Sequence, residues 1–388
     1  MEVRMSKTIV FCADGTWNNP NEDENHDQTA DPTNVYKLFS GLEGTLSPAS
    51  LLLADEQEKE LTESGLIVQV AKYIHGVGDS RNPIIKLMGG AFGAGIISRV
   101  VRGYTYISRN YQPGDAIAIL GFSRGAYTAR ALAGLIASQG LLNTALTADK
   151  ERAYRSGAEA WYRYRRAALK NPFSLAHLSE IVADLPAFLS HGSLQDPDFV
   201  SVPALTAVGV WDTVGAMGIP VYASGGKRQD AFKFADTKLS PKVLNGFHAV
   251  ALDERRNDFA PTLWDPEDRI QQVLFPGAHG DVGGGYPSAN TESGLSDGTL
   301  VWMAMQMGQL GLRYNTGWLE GLCPDAKGTA HQPWIHAPWN LPGVSLGPRT
   351  FPKGMAQNDL IALRMAVSPV VAEPGTAPIP YNPSNLPA

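Results

Sequence analysis

Short apolar runs alternate along this chain with longer segments whose apolar positions recur at helical spacing. The apolar runs carry almost no alternating polar positions, so they predict strands that are buried on both faces. These strands are expected at residues 8–13, 66–74, 115–120, 205–211 and 271–275. Helices are expected at residues 34–42, 84–111, 124–142 and 295–312, the last with an N-cap at Ser296 or Asp297. This order of elements predicts an α/β fold in which helices flank a mostly parallel central sheet.

One such domain accounts for residues 7–365. Residues 143–200 depart from the alternation, because amphipathic helical patterns there interleave aromatic with basic side chains. We expect this segment to be a helical insert that forms a cap or lid. Residues 366–388 are rich in proline and poor in charge, which predicts a C-terminal extension outside the core.

The composition narrows the class of protein. Of the 388 residues 44% are hydrophobic and 18% charged, which favours a large buried core over disorder. The net charge of −6 argues against binding to nucleic acid. The two cysteines, Cys12 and Cys323, exclude a disulfide framework and leave a single bridge open. No apolar run is long enough to span a membrane, and no signal-peptide hydrophobic region precedes the first strand. We therefore expect synthesis in the cytoplasm, with export that needs no signal peptide left open.

The segment Gly121-Phe-Ser-Arg-Gly125 matches the G-x-S-x-G pattern of a nucleophile elbow. A buried strand is predicted directly before it and a helix rich in small residues directly after it, as this motif requires. Ser123 is then expected on a strained turn with its hydroxyl above the sheet, and the two glycines remove side chains that would collide there. The helix N-terminus adds positive dipole, and the Arg124 amide can point at an oxyanion.

An activated serine needs a base, and the base needs an orienting carboxylate. Asp212 directly follows the predicted strand 205–211, and His279 follows the predicted strand 271–275. Ligand sites of open α/β sheets lie at such strand ends, and the order Ser, Asp, His is that of α/β hydrolases. The sequence therefore predicts His279 as the base and Asp212 as the orienting acid.

Other histidines and carboxylates compete for these roles. His248 lies in a helical pattern, and we expect it to be a packing or surface residue. Asp281 is expected to shape the glycine-rich loop after His279 or to form a hydrogen bond near the site. The remaining rivals are less well placed in the sequence: His26, His75, His177, His191, His331, His336, Asp253 and Glu254.

A second oxyanion donor normally comes from the loop after an early strand. Gly15 lets the backbone approach closely there, and Thr16 can supply an amide or a hydroxyl. Asp14 is awkward in this place, because a carboxylate repels an oxyanion. Either it turns away to cap the loop or it handles a substrate hydroxyl or a cation, and the sequence leaves both open. None of these motifs calls for a metal or a cofactor.

Taken together, the motifs resemble a family of α/β hydrolases, long catalogued as a domain of unknown function, that includes type VI secretion phospholipase effectors. One departure is Gly280, where the family often carries serine after the histidine. The matching segments are Phe11-Cys-Ala-Asp-Gly-Thr16, Asp31-Pro-Thr-Asn-Val35, Gly121-Phe-Ser-Arg-Gly-Ala-Tyr-Thr-Ala-Arg130, Val210-Trp-Asp-Thr-Val-Gly215, Ala251-Leu-Asp-Glu-Arg255 and Phe275-Pro-Gly-Ala-His-Gly-Asp-Val-Gly-Gly-Gly-Tyr286.

The resemblance implies a serine esterase or phospholipase-like lipase with Ser123 as nucleophile, His279 as base and Asp212 as orienting acid. It also implies an ester or lipid substrate, peripheral contact with a membrane, and a secretion-apparatus or immunity partner. The alternative is a non-catalytic binding or scaffold protein on a hydrolase fold. An aspartyl phosphatase is disfavoured, since Cys12 occupies the position of the nucleophilic aspartate.

Overall fold

The computed structural model describes residues 6–15, 30–49, 56–76, 91–168, 194–214, 221–222, 228–229, 237–337, 339–341 and 343–387. Nine of the described strands form one sheet in the order β13-β12-β11-β8-β5-β1-β4-β3-β2. The pairings from β13 across to β4 are parallel, and only those of β3 with β4 and of β2 with β3 are antiparallel. The strands are β1 (Thr8–Ala13), β2 (Thr45–Leu46), β3 (Glu56–Glu63), β4 (Leu66–Ile74), β5 (Ala116–Phe122), β6 (Leu141–Leu142), β7 (Phe199–Val200), β8 (Ala207–Trp211), β9 (Val221–Tyr222), β10 (Arg228–Gln229), β11 (Gly246–Ala251), β12 (Ile270–Phe275) and β13 (Ala356–Gln357).

Helices cover both faces of this sheet, and alternate residues of β1 pack into two different hydrophobic cores, one on each face. Ile9 and Phe11 belong to a core shared with α2 and α3, whereas Val10 and Cys12 belong to a core shared with α1 and α7. A strand buried on both faces has to be apolar at every position, which explains the unbroken apolar runs. The helices are α1 (Asn34–Gly41), α2 (Ala91–Asn110), α3 (Arg124–Gln139), α4 (Thr144–Thr147), α5 (Lys150–Ala168), α6 (His279–Gly283), α7 (Gly294–Gln309) and α8 (Asp359–Ala366).

The predicted fold class is confirmed as α/β-hydrolase-like. All five predicted strands are present, as β1, β4, β5, β8 and β12, and the four predicted helices correspond to α1, α2, α3 and α7. The first part of the predicted helix 84–111 lies outside the described residues. The predicted N-cap of α7 is wrong, because the Asp297 amide already donates to the Ser293 carbonyl and the helix starts after Ser293.

The helix expected around His248 is also wrong, whereas the expectation of a packing residue is confirmed. This residue lies in β11, fully buried between β8 and β12, and not in a helix. Its Nε2 accepts a hydrogen bond from the Thr213 amide at 3.0 Å. That bond fixes the backbone directly after Asp212, so His248 has a structural role at the end of β8.

The two segments expected outside the core are each described in part. Helix α5 of the insert packs against α2 and α3, where Gly157 approaches Val101 and Thr105. Residues 169–193 of the insert lie outside the described residues, so its function as a cap stays a prediction. In the C-terminal extension, Asn385 donates to the Leu252 carbonyl at 2.9 Å, which ties the extension to the end of β11.

Cys12 and Cys323 are both free thiols, Cys12 buried in β1 and Cys323 exposed. Among the helices described, none is both long enough and apolar enough to cross a membrane.

Candidate active site

Ser123 occupies the turn that joins β5 to α3. Its backbone has φ 56° and ψ −120°, a conformation that costs free energy for any residue with a Cβ. The turn is tight: a Cβ on Gly121 would lie 2.3 Å from the Gly125 carbonyl oxygen, and a Cβ on Gly125 would lie 2.1 Å from the Ala13 carbonyl oxygen. The two glycines are therefore required by backbone contacts, and the turn presents Ser123 at the carboxyl edge of the sheet.

The neighbouring strand β8 ends at the same edge of the sheet as β5. Phe122 pairs in register with Trp211, and the Ser123 amide donates to the Trp211 carbonyl at 3.0 Å. Asp212 follows immediately, with φ 37°, and its amide donates to the Ala249 carbonyl of β11 at 2.7 Å. The parallel register thus places Ser123 and Asp212 side by side at one edge of the sheet.

His279 begins the short helix α6, which follows β12 through a turn at Gly277. Its Nδ1 lies 2.6 Å from Oδ2 of Asp212, and its backbone amide donates to Oε2 of Glu254 at 3.2 Å. The imidazole packs against the ring of Phe122, with centroids 4.6 Å apart, and meets Phe259 edge-on at 5.0 Å. Because Phe122 precedes Ser123 directly, these contacts hold the His279 ring next to the serine turn.

Asp212 is fully buried and has four hydrogen-bond donors around it. Oδ1 accepts from the Ala251 amide at 2.9 Å and from Nη1 of Arg349 at 2.7 Å. Oδ2 accepts from Nη2 of Arg349 at 2.9 Å and faces the His279 ring. Burial alone would raise the pKa of Asp212, but the Arg349 guanidinium and His279 hold it well below its usual range.

The ionised Asp212 carboxylate fixes the protonation of the His279 ring. A carboxylate has no proton to give, so Nδ1 of His279 donates to Oδ2 and the other ring nitrogen, Nε2, is left as the acceptor. Burial lowers the pKa of His279 despite the neighbouring Asp212, so the ring is neutral at pH 7. A neutral, oriented imidazole is what a general base requires.

The rival carboxylates have other partners. Oδ2 of Asp253 accepts from the Gly277 amide at 2.7 Å and from the Tyr381 hydroxyl at 2.9 Å. Glu254 forms a two-point ion pair with Arg256, at 2.9 and 2.7 Å. Of these two carboxylates, Glu254 is the one that contacts His279, and it does so through the His279 backbone amide.

Asp281 lies on α6 and binds a rival histidine. Its Oδ2 accepts from the Ala278 amide at 2.8 Å, and its Oδ1 lies 2.7 Å from Nδ1 of His331. The His331 ring also stacks on Tyr286, with centroids 3.4 Å apart. Asp281 thus caps the helix that carries His279 and connects it to residue 331, which lies beyond α7.

The turn after β1 contains the candidates for a second oxyanion donor. The Gly15 amide donates to Oδ1 of Asp14 at 2.6 Å, and the same carboxylate accepts from the hydroxyls of Thr33 and Tyr73 at 2.8 and 2.7 Å. Burial raises the pKa of Asp14 to about 6 against these bonds. Asp14 therefore caps its own loop and occupies the Gly15 amide, whereas Thr16 lies outside the described residues.

Two arginines lie close to the serine turn. Nη2 of Arg99 donates to the Asp14 carbonyl at 3.0 Å, beside Gly125, and Nη1 of Arg99 is buried with no hydrogen-bond partner among the described residues. Burial lowers the pKa of Arg99 to about 10 and that of Arg124 to about 9, and repulsion from Arg99 adds to the shift of Arg124. Two guanidinium groups thus lie near the serine turn, with the Asp14 carboxylate close to that of Arg99.

The sequence did not single out Arg349, Arg99 or the contact of Glu254 with the His279 amide. Arg349 lies 137 residues after the aspartate that it binds, in a segment without regular periodicity. No local pattern marks such a contact. Within the residues that the structure describes, no group of three or more metal-ligating side chains could hold an ion.

Comparison with known proteins assigns this chain to a family. Residues 7–306 match the model of the type VI secretion phospholipase effector Tle1-like catalytic domain, and the chain belongs to this family. An uncharacterised protein of Saccharomyces cerevisiae is 26% identical over 282 residues, which cover 69% of this chain and 34% of that protein.

Two solved structures are similar at lower identity. An uncharacterised protein from Pseudomonas aeruginosa is 19% identical with a TM-score of 0.41, over 81% of this chain and 47% of that one. The Tle1 effector bound to the VgrG spike of the type VI secretion system is 18% identical with a TM-score of 0.38, over 75% of this chain and 52% of that one. The chain spans about a third of the yeast relative and about half of each solved protein.

Proposed function

We propose that this protein is a serine hydrolase that cleaves the carboxylic esters of lipids, with phospholipids as the preferred class. The observation that carries the proposal is the hydrogen bond of His279 with the buried Asp212, formed at the edge of the sheet where Ser123 sits on a strained turn. Membership of a phospholipase effector family supports the lipid substrate. A serine, an oriented neutral imidazole and a buried carboxylate are together the components of acyl transfer.

The reaction begins when Nε2 of His279 removes the hydroxyl proton of Ser123 and Oγ attacks the ester carbonyl carbon. The bond from that carbon to the leaving oxygen then breaks, and the leaving alcohol takes the proton from His279. This gives an acyl ester on Ser123. A water molecule, deprotonated by the same ring, attacks the acyl carbon. The bond from that carbon to Oγ of Ser123 then breaks, Oγ takes the proton back from His279, and the fatty acid is released. Asp212 stabilises the imidazolium that forms in each half of the reaction.

The oxyanion is stabilised first by the Arg124 amide, which lies at the N-terminus of α3 directly after Ser123. The Gly15 amide is the second candidate, and it becomes available only when Asp14 releases it. Thr16 remains a candidate from the sequence alone. Asp14 and Asp281 hold the two loops and do not take part in the chemistry.

The charge beside Ser123 supports a phospholipid over a neutral ester. The buried Arg99 and the half-buried Arg124 are like charges close enough to repel each other, and Nη1 of Arg99 has no hydrogen-bond partner among the described residues. An anion placed there compensates the repulsion and satisfies the donor. The phosphate of a phospholipid is an anion attached close to the scissile ester.

The remaining expectations follow from the family. A lipid substrate implies peripheral contact with a membrane surface, and the family's place in type VI secretion supports a secretion-apparatus or immunity partner. These partners, and export without a signal peptide, stay proposals for this chain.

The test is a substrate panel with Ser123→Ala as the matched control. Purified protein is incubated with phosphatidylcholine in mixed micelles, with a triglyceride emulsion and with a short-chain nitrophenyl ester, and released fatty acid is identified by mass spectrometry. We expect fatty acid from the phospholipid at the highest rate and none above background with Ser123→Ala. Well-folded protein that releases no acid from any ester would indicate the binding or scaffold alternative. Equal release by the Ser123→Ala variant would exclude Ser123 as nucleophile.

A further inference from the structure

The proposed triad has a fourth buried partner, which comes from beyond the family's catalytic segment. The family match ends at residue 306, whereas Arg349 lies in the chain between α7 and β13. Its guanidinium binds both oxygens of Asp212, Nη1 to Oδ1 at 2.7 Å and Nη2 to Oδ2 at 2.9 Å. The two residues form a two-point ion pair, in which Arg349 is only 6% exposed and Asp212 is fully buried.

Arg349 is itself held on several sides. Nη1 also donates to the Ala251 carbonyl at 2.8 Å, and Nη2 also donates to the Phe259 carbonyl. The Arg349 carbonyl accepts from Asn385 at 3.2 Å, which links it to the C-terminal extension. Because both terminal nitrogens of the planar guanidinium are hydrogen-bonded, the guanidinium has one orientation. The ammonium group of a lysine, on its flexible side chain, does not reproduce that geometry.

The fork leaves the Asp212 carboxylate no freedom to rotate. Oδ1 is occupied by the Ala251 amide and Nη1, and Oδ2 is shared between Nη2 and the His279 ring. A carboxylate with only the Ala251 amide and the ring could turn about its χ2 and exchange oxygens. Arg349 therefore determines which oxygen faces His279 and at what distance.

Arg349 also adds positive charge to a crowded set of groups. Asp212 comes from the loop after β8, Glu254 and Arg256 from the loop after β11, and His279 from α6. Asp281 lies two positions further along α6, and the buried His248 faces Asp212 from β11. In this set Arg349 cancels part of the Asp212 charge that His279 experiences. A cation near two proton-binding groups lowers the proton affinity of both.

We propose that Arg349 is a positioning residue of the active site, which locks the Asp212 carboxylate and sets the pH at which His279 can accept a proton. This inference rests on the proposed hydrolase function. It also means that the site is completed by residues outside the segment that the family match covers.

The test compares Arg349→Met and Arg349→Lys with the wild-type protein in the pH dependence of kcat/KM for a soluble ester. Arg349→Met removes both the charge and the planar guanidinium fork, so we expect kcat to fall about 100-fold. The acid limb of the profile, where kcat/KM falls at low pH, should move up by about one pH unit. Arg349→Lys keeps the charge without the fork, so we expect an acid limb at the wild-type pH and a kcat loss of about tenfold. A role in folding alone would lower the amount of active protein and leave the limb in place.

Arg269→Met is the matched control. This arginine also uses its guanidinium to bind backbone carbonyls, those of Leu239, Ser240 and Val243, but it lies at the opposite end of β12 from the site. It is about 20 Å away along a six-residue strand. We expect this variant to lose stability and to keep the wild-type acid limb.

The outcomes separate the inference from the function that it depends on. A wild-type protein that hydrolyses no ester and whose Ser123 reacts with no fluorophosphonate defeats the proposed function. An active wild-type protein with an unchanged acid limb and kcat in Arg349→Met defeats the inference alone. If Arg349→Met does not fold, Arg349→Lys decides: wild-type kcat would show that the fork positions nothing.

Discussion

Nδ1 of His279 lies 2.6 Å from Oδ2 of Asp212, although 67 positions separate the two residues in the chain. The distance is that of a charge-assisted hydrogen bond. It results from the parallel register of the sheet, which brings the ends of β8 and β12 to one edge with only β11 between them. Phe122 and Phe259 exclude water from the ring on two sides.

The first prediction concerns the pH dependence of hydrolysis. Burial lowers the pKa of His279 below its usual 6.5, and the neutral ring is the active form. Activity is therefore expected to persist below pH 6.5 and to fall as the pH passes through the lowered value. The measurement is kcat/KM for a soluble ester between pH 4 and 9, with circular dichroism at each pH to verify folding. An acid limb centred above pH 7 contradicts the assignment of a buried, neutral base.

His248 makes a separate prediction about stability. Burial lowers the pKa of His248 to about 3, with Arg130 adding to the shift, whereas in the unfolded chain the ring titrates near 6.5. The unfolded state therefore binds the extra proton first, and stability is lost as the pH falls below 6.5 towards 3. Between pH 7 and pH 5 this residue alone contributes a loss of about 2 kcal/mol in the free energy of unfolding.

His248→Gln tests this by urea denaturation at both pH values. The glutamine can still accept from the Thr213 amide but does not titrate, so its stability should fall less between pH 7 and pH 5, by about 2 kcal/mol. The contributions of the other titrating groups are the same in both proteins, so they cancel when the two losses are compared. Equal losses in the two proteins would show that the pKa of His248 is the same in the folded and the unfolded protein.

Gly125→Ala tests the turn at Ser123. The new Cβ would meet the carbonyl oxygens of Ala13 and Asp14, which are backbone atoms and cannot move independently. We expect a loss of about 1–3 kcal/mol in the free energy of unfolding and a larger proportional loss of kcat, because the serine is displaced. Gly321→Ala is the control, since a Cβ there has nothing within 4 Å. Unchanged turnover in Gly125→Ala would mean that the geometry of the turn does not matter for the reaction.

Arg99→Met tests the preference for a substrate that carries a phosphate group. Removing this guanidinium should lower kcat/KM for phosphatidylcholine by about tenfold or more, which is the value of one charge-assisted hydrogen bond. Hydrolysis of a neutral nitrophenyl ester should change much less. Arg269→Met again controls for the loss of a guanidinium far from the site. An equal loss on both substrates would indicate that Arg99 supports the fold and does not recognise phosphate.

Much of the fold could be predicted because the buried strands carry their signal locally. β5 is continuous apolar sequence, and Ser123, Asp212 and His279 each follow a strand closely. Four strands of the nine-stranded sheet were not predicted, the two-residue strands β2 and β13 and the longer strands β3 and β11. β3 (Glu56–Glu63) is rich in glutamate and lacks an apolar run. It is stabilised by ion pairs of Glu56 and Glu58 with Lys72 on the neighbouring strand β4. β11 is interrupted by His248, whose polarity is satisfied only by the Thr213 amide and Gln272 in the folded protein.

The parts of the site that sequence reasoning missed depend on long-range contacts. Arg349 and His331 each bind a carboxylate that is distant in sequence, Asp212 and Asp281. Neither lies in a periodic segment, and a lone arginine or histidine in an irregular stretch gives no indication of its partner. Only the folded chain shows that the region after α7 holds the loops of the proposed active site.

Reactivity of Ser123 with a fluorophosphonate probe tests the central claim most directly. The wild-type protein should be labelled at a single serine, identified as Ser123 by peptide mapping, in step with loss of ester hydrolysis. Ser123→Ala should not be labelled, and His279→Ala should be labelled far more slowly. Turnover should fall by several powers of ten in each variant, with no further loss in the double variant. Folded wild-type protein that takes up no label, or that hydrolyses lipid esters equally well as Ser123→Ala, would contradict the account.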